Sequence, residues 1–287
     1  MKVVVLGATG MLGSAVLGVL DHGGLEVSGA VRNAAAEQLF PSRLAKRLVP
    51  CGDLEQDDAL EQLLEQTRPD WVINCTSVAR SLHRDLDRML GVYALLPQRL
   101  SLACRLAGAR LLQVSSDGVF SGARGGYRED DQPDATDLYG RAKRLGEVRE
   151  PHAVTIRTSM LGHELASRSG LLEWFLSQEE RCRCYTRAIF CGLPTFVLAA
   201  VMRDYILPRA DLSGVYHVGA PPISKFDLLT LVATQYGKQI AIEPDESVAL
   251  DRSLIVERFF DATGFRSPGW PELVRVMHSH QFDLART

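Results

Sequence analysis

Short apolar runs alternate with helical patterns of leucine and valine along the first half of the chain. The runs are too short for helices and several are rich in β-branched residues, which predicts strands buried on both faces. These strands fall at Val3–Leu6, Leu25–Val31, Val49–Gly52, Trp71–Asn74 and Arg110–Ser115. Helices are predicted between them over residues 14–20, 57–66 and 86–107, the last with Leu95, Leu96, Leu100 and Leu106 facing inward. This rhythm predicts an α/β fold, a doubly wound parallel sheet with right-handed crossovers.

A glycine turn joins the first strand to the first helix. Its glycines are Gly7, Gly10 and Gly13, spaced as G-x-x-G-x-x-G. The first glycine permits a tight turn, the second lets the backbone approach a pyrophosphate, and the third lets the helix pack close to the strand. The phosphates would lie on the free N–H groups and positive dipole end of the helix. Because the turn follows an N-terminal strand and opens a helix, it favours a dinucleotide site of Rossmann type over a purely structural turn.

The regular alternation of predicted strands and helices becomes less clear after Met160. Helical patterns there cover residues 171–176, 193–206, 225–236, 254–263 and 271–280, and strands are predicted at 214–218 and 240–242, the latter bounded by Pro244. We expect residues 1–158 to form the dinucleotide-binding domain, with residues 190–218 packing back on it. Residues 159–287 are expected to form a smaller C-terminal α/β lobe that binds substrate.

Polar residues follow the carboxyl ends of the next strands, where ligands of such sheets bind. Arg32 stands where an NAD enzyme usually has a carboxylate, so it favours the 2′-phosphate of NADPH. NADH remains a possible cofactor, because Arg32 could also be an ordinary solvated charge at the end of a strand. Asp53 is placed to reach the adenine edge and Leu54 its face, although an ordinary loop aspartate fits almost as well. The residues expected to contact the cofactor in these segments are Gly7, Thr9, Gly10, Met11, Leu12, Arg32, Asp53, Leu54, Cys75, Thr76 and Ser77.

Two further segments carry the chemistry of carbonyl reduction. The strand at 110–115 runs into Ser116 and Asp117, and Tyr139 and Lys143 follow four residues apart on one helix face. An unperturbed phenol has a pKa of about 10, and a neighbouring ammonium should lower that pKa toward working pH. We predict that Ser116 binds the substrate carbonyl and that Tyr139 donates the proton. Lys143 would also hydrogen-bond the nicotinamide ribose, so Tyr139 and Lys143 both contact the cofactor. Asp117 either contacts substrate or caps the turn.

The order of these motifs resembles the extended short-chain dehydrogenase/reductases, and longer segments narrow the resemblance to one branch. Residues 112–122 read LQVSSDGVFSG, residues 127–130 YRED and residues 138–147 LYGRAKRLGE. These segments, with IRTS at 156–159, GLPT at 192–195 and GVYHV at 214–218, are similar to the dTDP-4-dehydrorhamnose reductase family. The resemblance implies reduction of the 4-keto group of a nucleotide-linked 6-deoxy sugar with NADPH or NADH. Such an activity would serve the biosynthesis of deoxysugars or surface polysaccharides.

The chain departs from that family mainly at positions that would face the sugar. Gly118 stands where the family has a tyrosine, Met160 where it has a tryptophan, and Tyr93 where asparagine is typical. We therefore expect the hydride-transfer residues to be kept and the sugar to differ. Loss of an aromatic side chain at 118 would open volume for a bulkier substituent, such as an acylamino group. Arg252 either pairs with the diphosphate of the substrate or is an ordinary surface arginine. The predicted substrate contacts are Ser116, Asp117, Gly118, Met160 and Arg252.

Composition argues against several other classes of function. A net charge of -3 and a pI near 6.2 disfavour nucleic acid or an anionic membrane as the main partner. No apolar run approaches the ~20 residues of a membrane span, and the first apolar run is too short for a signal peptide. We expect a cytoplasmic protein with reduced cysteines and no metal site, because Cys182, Cys184, Cys191 and His163 match no ligand spacing. A homodimer is left open.

Two rival functions stay open on the sequence alone. The first is an epimerase or dehydratase on the same fold, and Asp117 beside the catalytic serine keeps a dehydratase in view. The second is a non-catalytic, NADP-binding regulatory subunit, since the β subunit of methionine adenosyltransferase resembles this family. Such a subunit has little need of an intact Tyr139 and Lys143, so the reductase is favoured.

Overall fold

A sheet of seven parallel strands forms the centre of the molecule. The computed structural model describes residues 1–79, 82–166 and 168–280. The strands are β1 (Lys2–Leu6), β2 (Glu26–Val31), β3 (Leu48–Pro50), β4 (Trp71–Asn74), β5 (Arg110–Val114), β6 (Ala153–Arg157), β7 (Met160–Leu161), β8 (Arg181–Tyr185), β9 (Ala188–Phe190), β10 (Leu193–Pro194), β11 (Gly214–His217), β12 (Ile223–Ser224), β13 (Ala241–Asp245) and β14 (Leu250–Asp251). The central sheet has the order β11-β6-β5-β4-β1-β2-β3.

The strand order places a crevice beside β1. The chain moves outward from β1 through β2 to β3, and then returns to β4 on the other side of β1. In doubly wound sheets, ligands bind at the carboxyl ends of the strands where this reversal occurs. The predicted fold class, an α/β doubly wound sheet of Rossmann type, is confirmed.

Helices cover both faces of the sheet. They are α1 (Met11–His22), α2 (Ser42–Ala45), α3 (Asp57–Thr67), α4 (Leu86–Leu90), α5 (Leu96–Ala107), α6 (Leu138–Leu145), α7 (Leu171–Leu176), α8 (Thr195–Val201), α9 (Lys225–Gln235), α10 (Glu257–Thr263) and α11 (Trp270–Ser279). Alternate residues of β1 enter two cores: Val3 and Val5 join the core of α1, α8 and α11, whereas Val4 and Leu6 join that of α3 and α5. The run is continuously apolar because both of its faces are covered.

A π-helical turn at Gly91–Leu95 joins α4 to α5, so the helix predicted over 86–107 is one interrupted segment. Leu96 and Leu100 are buried as predicted, but Leu95 is 62% exposed and Leu106 is 78% exposed. The inward prediction for these two leucines was wrong. The buried stripe instead consists of residues 96, 97, 100, 101 and 104, which share one face at helical spacing.

Three small sheets, β10-β7, β12-β9-β14 and β13-β8, are formed by strands that follow residue 159. Strand β8 escaped prediction because its inward positions are Cys182 and Cys184, small apolar residues set between exposed arginines. Pro244 lies inside β13 rather than bounding it, which an edge strand of a two-stranded sheet tolerates. Strand β11 pairs with β6, and α8 packs on α1. The domain boundary at residue 158 stays a prediction.

A buried charged network ties β6 to β11. Arg157 is fully buried and donates from Nε and Nη2 to the two carboxylate oxygens of Glu147 at 2.7 and 2.8 Å. Its Nη1 lies 3.3 Å from Nε2 of His217, whose Nδ1 lies 3.2 Å from the Ile255 carbonyl oxygen. The carbonyl can only accept, so the proton of the neutral imidazole is on Nδ1 and Nε2 accepts from Arg157.

Acidification should destabilise the protein through His217. Burial, together with the Arg157 charge, lowers the pKa of His217 from 6.5 to about 3. The unfolded chain therefore takes up a proton near pH 6.5 while the folded chain does not, so stability is full above pH 6.5 and falls as the pH drops toward 3. Between pH 7 and 5 we expect a loss of about 2 kcal/mol in urea unfolding, and a clearly smaller loss in His217→Gln. An equal loss in both proteins would assign the acid sensitivity to other groups.

Candidate active site

The glycine turn brings α1 against β1 and β4. Gly7 has a φ of +70°, and a Cβ there would lie 2.7 Å from the carbonyl oxygen of Cys75. The N–H of Gly10 donates to the Gly7 carbonyl at 2.9 Å. A Cβ at Gly13 would overlap that same carbonyl oxygen, so only glycine allows the helix to start so close to the turn. Gly10 caps α1 without a side-chain acceptor, which leaves the first helical N–H groups directed at the groove.

Two adjoining cavities of about 290 and 260 Å³ lie at the carboxyl ends of these strands. Thr76 and Ser77 line both cavities, so the two halves share one loop. The first cavity contains the predicted residues Gly10, Met11, Leu12, Cys75, Ser116, Tyr139, Lys143 and Met160. The second contains the predicted residues Gly7, Thr9, Arg32, Asp53 and Leu54. The structure thus brings together residues separated by up to 150 positions in the chain, in two groups that match the two halves of a dinucleotide.

The remaining predicted substrate residues lie beside the first cavity rather than in its lining. Ser116 Oγ donates to Asp117 Oδ1 at 3.2 Å, and burial raises the pKa of Asp117 although the Arg252 charge opposes this. Arg252 has a side chain only 25% exposed, and one Nη lies 3.7 Å from Asp137 Oδ2. Its Nε is buried with no hydrogen-bond partner among the described residues. Arg252 is therefore not a freely solvated surface arginine.

Gly118 packs directly under the ring of Tyr139. A Cβ at position 118 would lie 2.8 Å from Tyr139 Cε1 and 3.1 Å from Ser116 Oγ. The expectation that this glycine opens volume for a bulkier sugar substituent is not met at the Cβ, because the phenol ring already fills that space. The glycine instead allows the Tyr139 ring to pack closely against the 3₁₀ turn at Asp117–Val119.

Burial dominates the electrostatics of the Tyr139 and Lys143 pair. The Lys143 ammonium donates to the Val114 carbonyl oxygen at 3.1 Å. Burial lowers the pKa of Lys143 to about 8, against the opposing effects of Cys75 and Glu147. Burial also raises the pKa of Tyr139, against the opposing effects of the Ser116 hydrogen bond and the Arg252 charge, so the expected net lowering is not seen. The phenol is consequently protonated near neutral pH, the form that an acid in carbonyl reduction requires.

Sequence reasoning missed several residues that line the first cavity. They are Val114, Ser115, Thr158 and Ser159, together with Tyr93, which was noted only as a departure from a family pattern. Thr158 and Ser159 follow β6, so their position at a strand end was the signal that would have found them. Nothing in the local sequence marks Tyr93, because it enters the site from a π-helical turn 46 residues before Tyr139.

Neither a metal site nor a membrane span emerges from the described residues. No group of three or more histidine, cysteine, aspartate or glutamate side chains is arranged to hold a metal ion within 1–79, 82–166 and 168–280. Within the same ranges, no helix has the length and apolar character needed to cross a bilayer.

The sequence of the chain is similar to one protein family and to several individual proteins. The sequence pattern of the RmlD substrate binding domain family matches residues 1–253. Methionine adenosyltransferase 2 subunit beta of Danio rerio is 26% identical over 258 residues, which cover 82% of this chain and 74% of that protein. The dTDP-4-dehydrorhamnose reductase of Streptomyces griseus is 33% identical over 147 residues, 50% of this chain and 43% of the relative.

A solved structure extends the likeness to the whole fold. The dTDP-4-dehydrorhamnose reductase of Bacillus anthracis, in complex with NADP, superposes with a TM-score of 0.79 over 97% of this chain and 99% of that one. The two sequences are 19% identical, so this comparison shows a shared fold.

Proposed function

Because the chain belongs to the RmlD substrate binding domain family, we propose that it reduces the 4-keto group of a nucleotide-activated 6-deoxy sugar with NADPH. One observation carries this proposal: Ser116, Tyr139 and Lys143 share a cavity with the start of α1. An acid and a cofactor cradle in one cleft are the requirements of carbonyl reduction. The dTDP-4-dehydrorhamnose reductases among the similar proteins support the same chemistry.

The residues of the groove fit a dinucleotide. Gly7 and Gly13 let the turn pack tightly, because a Cβ at either position would overlap main-chain atoms of Cys75 or Gly7. Helix α1 offers its uncapped N–H groups to a diphosphate. Arg32 stands exposed at the end of β2, where it would pair with a 2′-phosphate, and Asp53 lies in the same cavity. NADPH, when bound, supplies the hydride. NADH is the alternative cofactor if Arg32 contributes little.

In the proposed reaction Tyr139 donates the proton, and its neighbouring side chains assist. Ser116 Oγ accepts from the Gly118 N–H at 3.0 Å, which fixes its hydroxyl beside the phenol. That hydroxyl would hold the substrate carbonyl oxygen while the phenol of Tyr139 donates its proton to it. Lys143, held at Val114, keeps a positive charge close to the phenolate that this transfer leaves behind.

We assign the sugar nucleotide to the second lobe, with Arg252 on its diphosphate. The unpartnered Nε of Arg252 supports this assignment, because a buried guanidinium nitrogen favours an acceptor of negative charge. The lobe also carries Met160 to the edge of the first cavity. A homodimer stays a prediction.

A non-catalytic regulatory subunit is the second candidate function, favoured by the likeness to methionine adenosyltransferase 2 subunit beta. The retained Tyr139 and Lys143 favour the enzyme instead. An epimerase or dehydratase would form a different product from the same substrate.

The test is turnover by the purified protein on a panel of 4-keto-6-deoxy sugar nucleotides, with NADPH or NADH. We expect the absorbance of NADPH to fall with at least one substrate and a 4-hydroxy sugar to form, detected by mass spectrometry. An isomerised or dehydrated sugar without net cofactor consumption would identify the rival enzyme. NADPH binding without turnover on any substrate would favour the regulatory subunit and overturn the proposal.

A further inference from the structure

We propose that Tyr93 is a positioning residue of the reductase site, whose ring holds the Lys143 ammonium and whose hydroxyl fixes the loop that follows β4. This inference rests on the proposed function for its kinetic consequences, but not for its structural ones. Tyr93 would act through Lys143 and Tyr139 and through the groove loop, without itself exchanging a proton.

The π-helical turn directs Tyr93 into the end of the groove. Its side chain is buried, at 3% exposure, and its hydroxyl accepts a hydrogen bond from the N–H of Val78 at 2.9 Å. Val78 directly follows Cys75, Thr76 and Ser77, the segment that lines both cavities. A single phenol therefore ties the helical layer to the loop on which the cofactor would lie.

The ring of Tyr93 contacts both residues of the catalytic helix. Lys143 Nζ lies 4.4 Å from the centre of the Tyr93 ring, within the distance of a cation–π interaction. The Tyr139 ring meets the same ring edge to face, with centroids 5.4 Å apart and planes at 90°. The end of α6 presses on this turn as well, since a Cβ at Gly146 would overlap the Tyr93 carbonyl oxygen. Tyr93 thus sets the position of both side chains relative to the groove.

Two uncharged groups support the Lys143 ammonium, the Val114 carbonyl oxygen and the Tyr93 ring, and three titratable groups lie near it. The Cys75 thiol, at the end of β4, has a pKa raised to about 12 by burial and is neutral. Glu147, just beyond α6, has both carboxylate oxygens engaged by Arg157. The Tyr139 phenol is protonated, because burial raises its pKa. An ammonium excluded from water is stabilised by an aromatic face, which an asparagine or an aliphatic residue at position 93 would not provide.

Two variants separate the roles of the ring and the hydroxyl. Tyr93→Phe keeps the aromatic face and removes the acceptor for Val78, so it should raise the KM for NADPH and leave the titration of Lys143 unchanged. Tyr93→Leu removes both. Because a cation–π contact favours the charged ammonium, the pKa of Lys143 should fall by about 0.5 or more in Tyr93→Leu. The alkaline limb of kcat would move to lower pH by the same amount.

The titration of Lys143 is measured directly by NMR on protein labelled at lysine Cε. The chain has five lysines, so the Lys143 signal is assigned by its loss in Lys143→Met. This readout needs no substrate, and it is accompanied by pH profiles of kcat for each variant. Tyr93→Met, which is also without an aromatic face, replaces Tyr93→Leu if the latter does not fold.

The two variants test the two claims separately. A raised KM for NADPH in Tyr93→Phe supports the role of the hydroxyl, and an unchanged KM overturns it. A downward shift in Tyr93→Leu, absent in Tyr93→Phe, supports the role of the ring. Identical titration of Lys143 in wild type and Tyr93→Leu overturns it, as does an equal shift in Tyr93→Phe. If wild type reduces no sugar nucleotide but Lys143 shifts as expected, the proposed reaction fails and the positioning role stands.

Discussion

Replacing Tyr139 with phenylalanine should lower kcat by about 10³-fold and leave the affinity for NADPH nearly unchanged. General acid catalysis contributes about 10² to 10⁴ in rate, and the variant removes the proton donor alone. The ring that packs on Gly118 and against Tyr93 stays in place, so the fold and the groove are kept. Steady-state kinetics with the best substrate of the panel give kcat, and calorimetric titration gives the affinity for NADPH.

Tyr205→Phe provides the matched control for this variant. Tyr205 packs on Phe265 with ring centroids 5.2 Å apart, on the π-helical turn at Met202–Ile206, away from the residues that line the groove. The same loss of a hydroxyl there should leave kcat at the wild-type value. Full turnover in Tyr139→Phe would show that another group donates the proton, and the assignment of the acid would be wrong.

The central sheet and its ligand-binding edge could be predicted because they depend on interactions between residues that are close in the sequence. An apolar run as short as Val3–Leu6 between polar turns has to be a covered strand, and the structure sends its alternate residues into two cores. The glycine spacing likewise describes contacts within thirteen residues, such as the approach of Gly13 to the Gly7 carbonyl. Parallel strands then bring their carboxyl ends to one edge, which gathers the predicted groove residues without further information.

The parts that escaped prediction depend on contacts between distant segments. Whether Leu95 faces inward depends on a π-helical turn that no leucine spacing reveals. The pKa of Tyr139 depends on burial, to which Gly118 and Tyr93 contribute from separate elements. Two departures that suggested an altered sugar pocket, at positions 93 and 118, both contact Tyr139, the proposed acid. These contacts place both departures against Tyr139 and helix α6.

Gly13→Ala should damage both the stability of the protein and its binding of NADPH. The added Cβ overlaps the carbonyl oxygen of Gly7, a main-chain atom that no rotamer change can move aside. Helix α1 must therefore shift away from the turn, which disturbs the bond from the Gly10 N–H to that carbonyl. We expect the free energy of unfolding to fall by about 2 kcal/mol and the Kd for NADPH to rise at least about tenfold. Urea unfolding and calorimetric titration measure the two effects.

Substitutions at two other glycines distinguish the effect of steric overlap on stability from the loss of the phosphate-binding surface. At Gly269 a Cβ would meet only Pro271 Cδ, at 3.9 Å, so Gly269→Ala should change stability by less than about 0.5 kcal/mol and leave NADPH binding intact. At Gly10 the Cβ would lie 3.3 Å from the Gly7 carbonyl oxygen and 3.9 Å from Ser77 Oγ, on the groove side of the turn. Gly10→Ala should therefore weaken NADPH binding with a smaller loss of stability than Gly13→Ala. Wild-type affinity in both Gly10→Ala and Gly13→Ala would mean that the phosphates do not lie on the start of α1.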